Sequence, residues 1–280
     1  MLLSELLKHG SKTLKQENIH THLLDSELFL SNLLNTSREK ILTLNDQKVS
    51  EEIIFNFNEL IKKRSKKEPV AYLFKEKEFW SKKFIVDNST LIPRPETEML
   101  VERIIKYFKN KKIHILDVGT GSGCILLTLL DQMKKSKGIG IDISSKAIDI
   151  ASKNSKKFKL TNKSKFFSRS LNQIFGYKFD LIVSNPPYIC THQIKNLSDD
   201  VKYFEPRIAL DGGKDGLDVI KKVIYKSRTI LKQKGMLALE IGHGQYKKIS
   251  QILKLEGFKD RFLIKDYQSN IRCILTTLEY

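Results

Sequence analysis

Long apolar runs are missing from this 280-residue chain, which excludes a helix of about 20 apolar residues crossing a bilayer. The opening Met1-Leu2-Leu3-Ser4-Glu5-Leu6-Leu7-Lys8 has an early acid and no small-residue cleavage site. It is expected to form a helix rather than a leader. Cysteine is scarce. Cys124, Cys190 and Cys273 form no CxxC pair, so neither a zinc ribbon nor a disulfide framework is expected, and a reducing cytoplasm suits the chain. The histidines are scattered, and no metal site is expected. Arginine is sparse beside lysine, although the net charge is +18. Such an excess invites a nucleic-acid partner. Here it is spread along the chain, in runs such as Lys62-Lys63-Arg64-Ser65-Lys66-Lys67 and Lys134-Lys135-Ser136-Lys137, near expected helix ends and loops. Lys, Ile and Asn are all abundant, as in AT-rich coding. Solvated faces account for the charge, and neither an obligate nucleic acid nor a membrane is expected as partner.

What is present is enough for globular domains, since 40% of the residues are hydrophobic. Residues 1–75 read as a small helical domain. Leu23, Leu24, Leu28 and Leu34, then Ile53, Ile54, Phe57, Leu60 and Ile61, recur near spacings of 3 and 4. Residues 76–91 read as a β-hairpin linker, with Phe79, Trp80, Phe84 and Val86 interrupted by Ser81-Lys82-Lys83. From 92 to 280, strands and helices alternate. Strands are expected over 113–118, 138–143, 179–184 and 236–241, and helices over 124–133, 146–158 and 216–231. This is the pattern of an α/β fold with a Rossmann-like parallel sheet covered on both faces. Two further strands, 261–265 and 271–277, can place an antiparallel strand at or near the sheet edge.

The strand Phe179-Asp180-Leu181-Ile182-Val183 runs into Ser184-Asn185-Pro186-Pro187-Tyr188. Two consecutive prolines remove two backbone donors and stop the strand; they also bias Asn185 toward an extended conformation. The corner brings a carboxamide, a proline carbonyl and an aromatic ring to one point, which suits a planar –NH2 group. A plain proline-rich turn is the alternative.

Upstream, Ile115-Leu116-Asp117-Val118 leads into Gly119-Thr120-Gly121-Ser122-Gly123 and a helix. A glycine-rich turn at a strand-to-helix junction lets a ligand approach the backbone and the helix N-terminus. The spacing is G-x-G-x-G, not the dinucleotide G-x-G-x-x-G. Asp117 is a carboxylate where a pyrophosphate needs neutral donors, so a cationic ligand fits better. S-adenosylmethionine has an ammonium, a sulfonium and no phosphate. Asp142 closes the next strand, where an acid can accept ribose hydroxyls. All three features fall at the carboxyl edge of a parallel sheet, where open α/β folds bind ligands.

Together these residues resemble the class I S-adenosylmethionine-dependent methyltransferases, which have a seven-stranded Rossmann-like sheet. More specifically, they resemble the bacterial peptide chain release factor glutamine methyltransferases, nearly end to end. Glu68-Pro69-Val70-Ala71-Tyr72, Glu78-Phe79-Trp80, Leu91-Ile92-Pro93-Arg94-Pro95-Glu96-Thr97-Glu98, Phe204-Glu205-Pro206-Arg207-Ile208-Ala209-Leu210 and residues 213–218 share in the likeness, beside the glycine loop and the corner. The segment Arg94–Glu98 is the most family-specific. The resemblance implies cofactor contacts from Asp117, Gly119, Thr120, Gly121, Ser122, Gly123, Asp142 and Asn185. It implies that Asn185, Pro186, Pro187 and Tyr188 bind a substrate glutamine, with Asn185, Pro186 and Tyr188 catalytic. The implied partner is a class 1 release factor docked by the N-terminal helices, and a monomer is expected. Leu171 stands where the family often has an acid near the adenine, so Asn172 or a backbone amide is the expected contact. The turn Lys265–Asn270 lacks a glycine often found there.

Other residues have plainer readings. Glu96 and Glu98 either line the approach to the site or form a salt-bridged hinge braced by Arg94. Glu205 and Arg207 are expected to brace a loop as a pair, and His243 to be loop structure. Three rival functions remain open at this stage: an adenine-N6 methyltransferase, since adenine presents the same planar amine; a glutamine methyltransferase of a ribosomal protein; and a Rossmann-type binding module without activity.

Overall fold

The computed structural model describes residues 1–44, 46–266 and 268–279. Contacts divide the chain into two compact units. One comprises Met1–Phe74 with Asp199–Phe204, and the other the remaining described residues.

The first unit opens with α1 (Leu3–Gln16), α2 (His22–Leu33), α3 (Arg38–Ile41), α4 (Glu51–Ser65) and α5 (Val70–Leu73). Ser37 and Ser50 cap α3 and α4, each hydroxyl accepting a backbone N–H of the first turn. Leu3, Leu6, Leu14, Phe29, Leu30, Ile41, Phe57 and Ile61 form the core. The expected stripe on α2 is rotated. Leu23 and Leu24 are exposed, while Asp25, Ser26 and Glu27 are buried with Phe29 and Leu30. The reason is electrostatic. Arg64 of α4 donates to Asp25 at 2.7 Å and also holds the carbonyls of Lys67 and Glu68, and Arg38 pairs with Glu27. Buried charges occur where they are paired, so two acids occupy positions that hydrophobicity alone gives to leucines.

In the second unit, β1 (Glu76–Phe79) and β2 (Lys82–Ile85) form an antiparallel hairpin. Trp80 and Ser81 are its loop, with φ of 53° and 55°. Positive φ at both central residues makes the right-handed strand twist continuous through a two-residue turn. Next come α6 (Pro95–Tyr107), β3 (His114–Val118), α7 (Cys124–Gln132), β4 (Lys137–Asp142), α8 (Ser145–Lys157), β5 (Ser164–Ser168) and β6 (Phe179–Ser184). The short α9 (Asp199–Phe204) counts with the first unit. The order closes with α10 (Asp218–Ile230), β7 (Leu231–Glu240), α11 (Tyr246–Leu255), β8 (Phe258–Lys265) and β9 (Ile271–Leu278).

The seven-stranded sheet has the order β5-β4-β3-β6-β7-β9-β8. Pairs among β3 to β7 are parallel, and β9 is antiparallel to both β7 and β8. The reversed strand is thus second from the edge. Side-chain alternation feeds two cores. Ile115, Leu181, Val183 and Ala238 face one layer with Leu100, Ile104 and Leu126. Leu116, Ile182, Leu237 and Leu239 face the other with Ile220, Ile224 and Ile249. Both faces being covered explains why these strands read as continuous apolar runs. Strand β7 begins five residues before the expected start. Lys232–Lys234 hid that start, and Lys232 is held there by the Asp180 carboxylate at 2.9 Å. Strand β5 was not placed from sequence because this edge strand has little buried apolar surface. In the glycine-free turn before β9, Ser269 itself takes a φ of 66°; Tyr267 of that turn lies outside the described residues.

Strand order reverses between β3 and β6, and the connections leaving their carboxyl ends run to opposite sides, to β4 and β7. Open α/β sheets bind ligands in this crevice.

Candidate active site

A cavity of about 630 Å³ opens at the reversal point, within the size range of small-molecule sites. Its floor is the loop after β3. Gly119, Gly121 and Gly123 have φ of 70°, 55° and 79°, conformations that side-chain-bearing residues adopt at a cost. A Cβ on Gly119 or Gly121 would meet no atom within 4 Å. Glycine is required there for backbone conformation and leaves the backbone bare toward the cavity. The Gly119 and Thr120 amides both donate to the Ile141 carbonyl, at 2.9 and 3.0 Å, fastening the loop to β4.

Asp117 is fully buried beneath this loop and does not line the cavity. Its Oδ2 accepts from Thr120 Oγ1 at 2.7 Å, whereas Oδ1 has no hydrogen-bond partner. Burial pushes its carboxyl up to about 7, against the Thr120 hydroxyl bond. Asp142 does line the cavity. Its oxygens accept from the Gly121 amide and the Ser144 amide, both at 3.0 Å. Burial raises its pKa, opposed by those two amides. Thr120, Ser122 and Asn172 line the same space, with Leu171 beside Asn172; Gly123 does not, being the N-cap of α7. Cys124 borders the cavity, and burial pushes its thiol up to about 12, so it is no nucleophile.

Across the crevice, Asn185, Pro186 and Pro187 line the wall. Ser184 at the end of β6 ties the corner to β3 through a 2.7 Å bond to the Val118 carbonyl. Asn185 Nδ2 donates to Thr97 Oγ1 at 3.2 Å, and Thr97 Oγ1 donates to Glu240 Oε2 at 2.6 Å. Tyr188 does not line the cavity. Its hydroxyl is 3.4 Å from Glu240 Oε1 and accepts from Arg272 at 3.2 Å, with the guanidinium 5.5 Å from the ring centre. Burial, then the Glu240 charge, pushes the Tyr188 phenol up to about 12, so it stays protonated. Behind the corner, Gln245 Nε2 donates to the Tyr188 carbonyl at 2.9 Å. A Cβ on Gly216 would stand 2.4 Å from that carbonyl, so only glycine fits there.

The charged motif residues fall into distinct places. Arg94 lines the cavity and pairs with the buried Glu205, whose Oε2 accepts from the Ile92 amide at 3.1 Å. Arg207 pairs with Asp211 instead. The expected Glu205–Arg207 brace is therefore two separate braces. Glu98 accepts from the Trp80 amide at 2.9 Å and pins the hairpin turn, while neither Glu96 nor Glu98 lines the cavity. His243 is exposed and outside it. Among the described residues, no cluster of His, Cys, Asp and Glu is arranged to hold a metal ion, and no helix is long and apolar enough to cross a membrane.

Thr97, Glu240 and Arg272 escape a reading by sequence. Glu240 had a findable signal, since it is an acid at the carboxyl end of a parallel strand, like Asp117 and Asp142. Thr97 sits inside the Arg94–Glu98 segment, where the charged neighbours draw attention.

Residues 5–74 match the family described as the PrmC N-terminal domain, and residues 95–201 the methyltransferase small domain. A release factor glutamine methyltransferase of Buchnera aphidicola is 39% identical over 268 residues, covering 95% of this chain and 96% of its own. One from Clostridium botulinum is 38% identical, covering 98% of each. The chain belongs to the release factor glutamine methyltransferase family. Solved structures support the fold alone. A methyltransferase from Pyrococcus furiosus has a TM-score of 0.54 at 15% identity, covering 72% of this chain and 91% of its own. A ribosomal protein L11 methylase from Lactobacillus delbrueckii has 0.51 at 20%, covering 67% and 81%.

Proposed function

We propose that this chain methylates the side-chain amide nitrogen (N5) of the glutamine in the Gly-Gly-Gln motif of class 1 peptide chain release factors, using S-adenosylmethionine. The near end-to-end identity to release factor glutamine methyltransferases is the observation that carries this reading. The site's chemistry supports it. The bare backbone of Gly119 and Gly121 and the cavity-lining Asp142 carboxylate fit a cationic ligand without phosphate. Gly119 to Ser122 and Asp142 are assigned to hold it, with Asp117 and Gly123 supporting the loop from behind, Asn172 toward its base and Asn185 at its reactive end.

When bound, S-adenosylmethionine supplies the methyl group and leaves as a neutral thioether. The corner must make a poor nucleophile competent, because an amide lone pair is delocalised into its carbonyl. Asn185 Oδ1 is assigned to accept one amide hydrogen and the Pro186 carbonyl the other. That fixes the nitrogen in line and stabilises the positive charge that develops on it. The extra proton leaves to water afterward, so no general base is required. Pro187 excludes water, and Tyr188, outside the cavity, is assigned to brace the corner from behind through its hydroxyl. Residues 1–75 are assigned to dock the release factor, joined by the hairpin linker 76–91 to the catalytic domain 92–280. The chain is taken to act as a cytoplasmic monomer, with no obligate nucleic acid or membrane.

Mass spectrometry of the tip peptide after incubation with release factor tests this. One methyl on the Gly-Gly-Gln glutamine is expected. Methyl transfer instead to a ribosomal protein or to adenine in nucleic acid, with the release factor unmodified, overturns it.

A further inference from the structure

We propose that Thr97 and Glu240 are positioning residues that decide which end of the Asn185 carboxamide faces the cavity. The inference rests on the role of Asn185 given above. A carboxamide has an acceptor end and a donor end of nearly equal shape, and only the acceptor end can take a hydrogen from a substrate amide. Nothing within Asn185 makes that choice.

The hydrogen-bond chain makes it. An ionised carboxylate only accepts. With Glu240 ionised, Thr97 Oγ1, 2.6 Å from Glu240 Oε2, gives its single hydrogen to Glu240. Its lone pairs then can only receive, and they receive Asn185 Nδ2 at 3.2 Å. The Asn185 oxygen is left on the opposite side, along the cavity wall that Asn185 forms. Thr97 is 2% exposed and Glu240 1%, so no bulk water competes for these bonds, and a mismatched donor there is expensive.

The polarity of the relay depends on the charge of Glu240. Thr97 and Glu96 of α6, Tyr188 of the corner, Arg272 and Cys273 of β9 and Cys124 of α7 are the groups that face it. Burial raises its pKa, and the Thr97 bond and the Arg272 charge oppose the rise. Arg272 thus favours the ionised form. A protonated Glu240 can donate to Thr97, which then donates onward, and the amide turns its nitrogen toward the substrate.

The test uses the full-length chain with Thr97→Val, Thr97→Ser, Glu240→Gln and the Thr97→Val/Glu240→Gln double variant. Thr97→Val and Glu240→Gln are each expected to lower kcat about tenfold to a hundredfold, as for loss of one oriented polar contact, with KM for the release factor changed far less. Thr97→Ser is expected near wild type, and the double variant no worse than about either single variant. Independently of activity, the Asn185 side-chain NH2 signal in nitrogen–proton correlation spectra, assigned by its loss in Asn185→Ala, is expected to shift in Thr97→Val and in Glu240→Gln without cofactor. A wild-type kcat and an unmoved NH2 signal in Thr97→Val overturn the relay. Defects that multiply in the double variant, that raise only KM, or that follow lost melting temperature also overturn it. Absence of glutamine methylation by the wild type overturns the functional reading instead, while the spectra still judge the relay.

Discussion

Arg94 and Glu205, 111 residues apart in sequence, form an ion pair at the cavity wall. The Glu205 side chain keeps 1% of its surface exposed and the Arg94 side chain 32%. Through Ile92, the same carboxylate also fixes the chain entering α6. The family-specific segment and the loop after α9 are thus joined through one guanidinium nitrogen of Arg94 and both carboxylate oxygens of Glu205.

Arg94→Ala leaves the Glu205 charge buried without its cation. Such removals cost about 3–5 kcal/mol when both partners are buried; since Arg94 is partly in water, a loss of about 2 kcal/mol is expected. Denaturant unfolding measures it. Arg94→Lys should recover most of it, because the pair uses a single guanidinium nitrogen that an ammonium can replace. A midpoint unchanged by Arg94→Ala would show the pair to be stabilising nothing.

Asn185→Ala removes the acceptor proposed to face the amide nitrogen. Turnover is expected to fall by roughly 10²-fold or more, with the unfolding midpoint kept. Single-turnover methylation of the release factor checks this; near-normal turnover by the folded variant contradicts the mechanism.

Asp117, beneath the loop proposed to hold the ligand, is expected to make ligand binding depend on pH. Its folded pKa of about 7 lies above the ordinary 3.8. Its contribution to stability is therefore complete below the ordinary value and is lost as pH rises through about 7. A cationic ligand favours the ionised carboxyl, so its binding should expel a proton and weaken roughly tenfold per pH unit below that value. Calorimetry with S-adenosylmethionine in buffers of different ionisation heat measures the proton count. Asp117→Asn should bind it weakly, with no such slope, while being the more stable protein above pH 7 without ligand.

Gly121→Ala separates conformation from ligand contact. With φ at 55°, the substitution should cost about 1 kcal/mol of stability. Its methyl would project into open space, where the ligand is proposed to lie. Ligand affinity is expected to fall more than stability does. Equal losses of about 1 kcal/mol in both would indicate that the methyl meets nothing.

Local signals made half of the site legible. Asp117, Asp142 and Asn185 each stand at or beside the end of an apolar strand that runs into Gly, Ser or Pro, so sequence alone aligns them on one sheet edge. Thr97, Glu240 and Arg272 meet only because β7 lies between β6 and β9, with the first turn of α6 over them. Strand order is a nonlocal property, and no spacing announces it. The same distinction governs α2. Its helical period was visible, but its buried face was set by Arg64 and Arg38, and their partners could not be known before folding.

Pro186 and Pro187 have a practical consequence for measurement. Neither has an amide hydrogen, so the corner is silent in amide exchange and in proton-detected backbone spectra. Slow opening of the corner would pass unnoticed between the signals of Asn185 and Tyr188. The Asn185 side-chain NH2 and carbon-detected resonances of the two prolines are the windows through which motion at this corner can be watched.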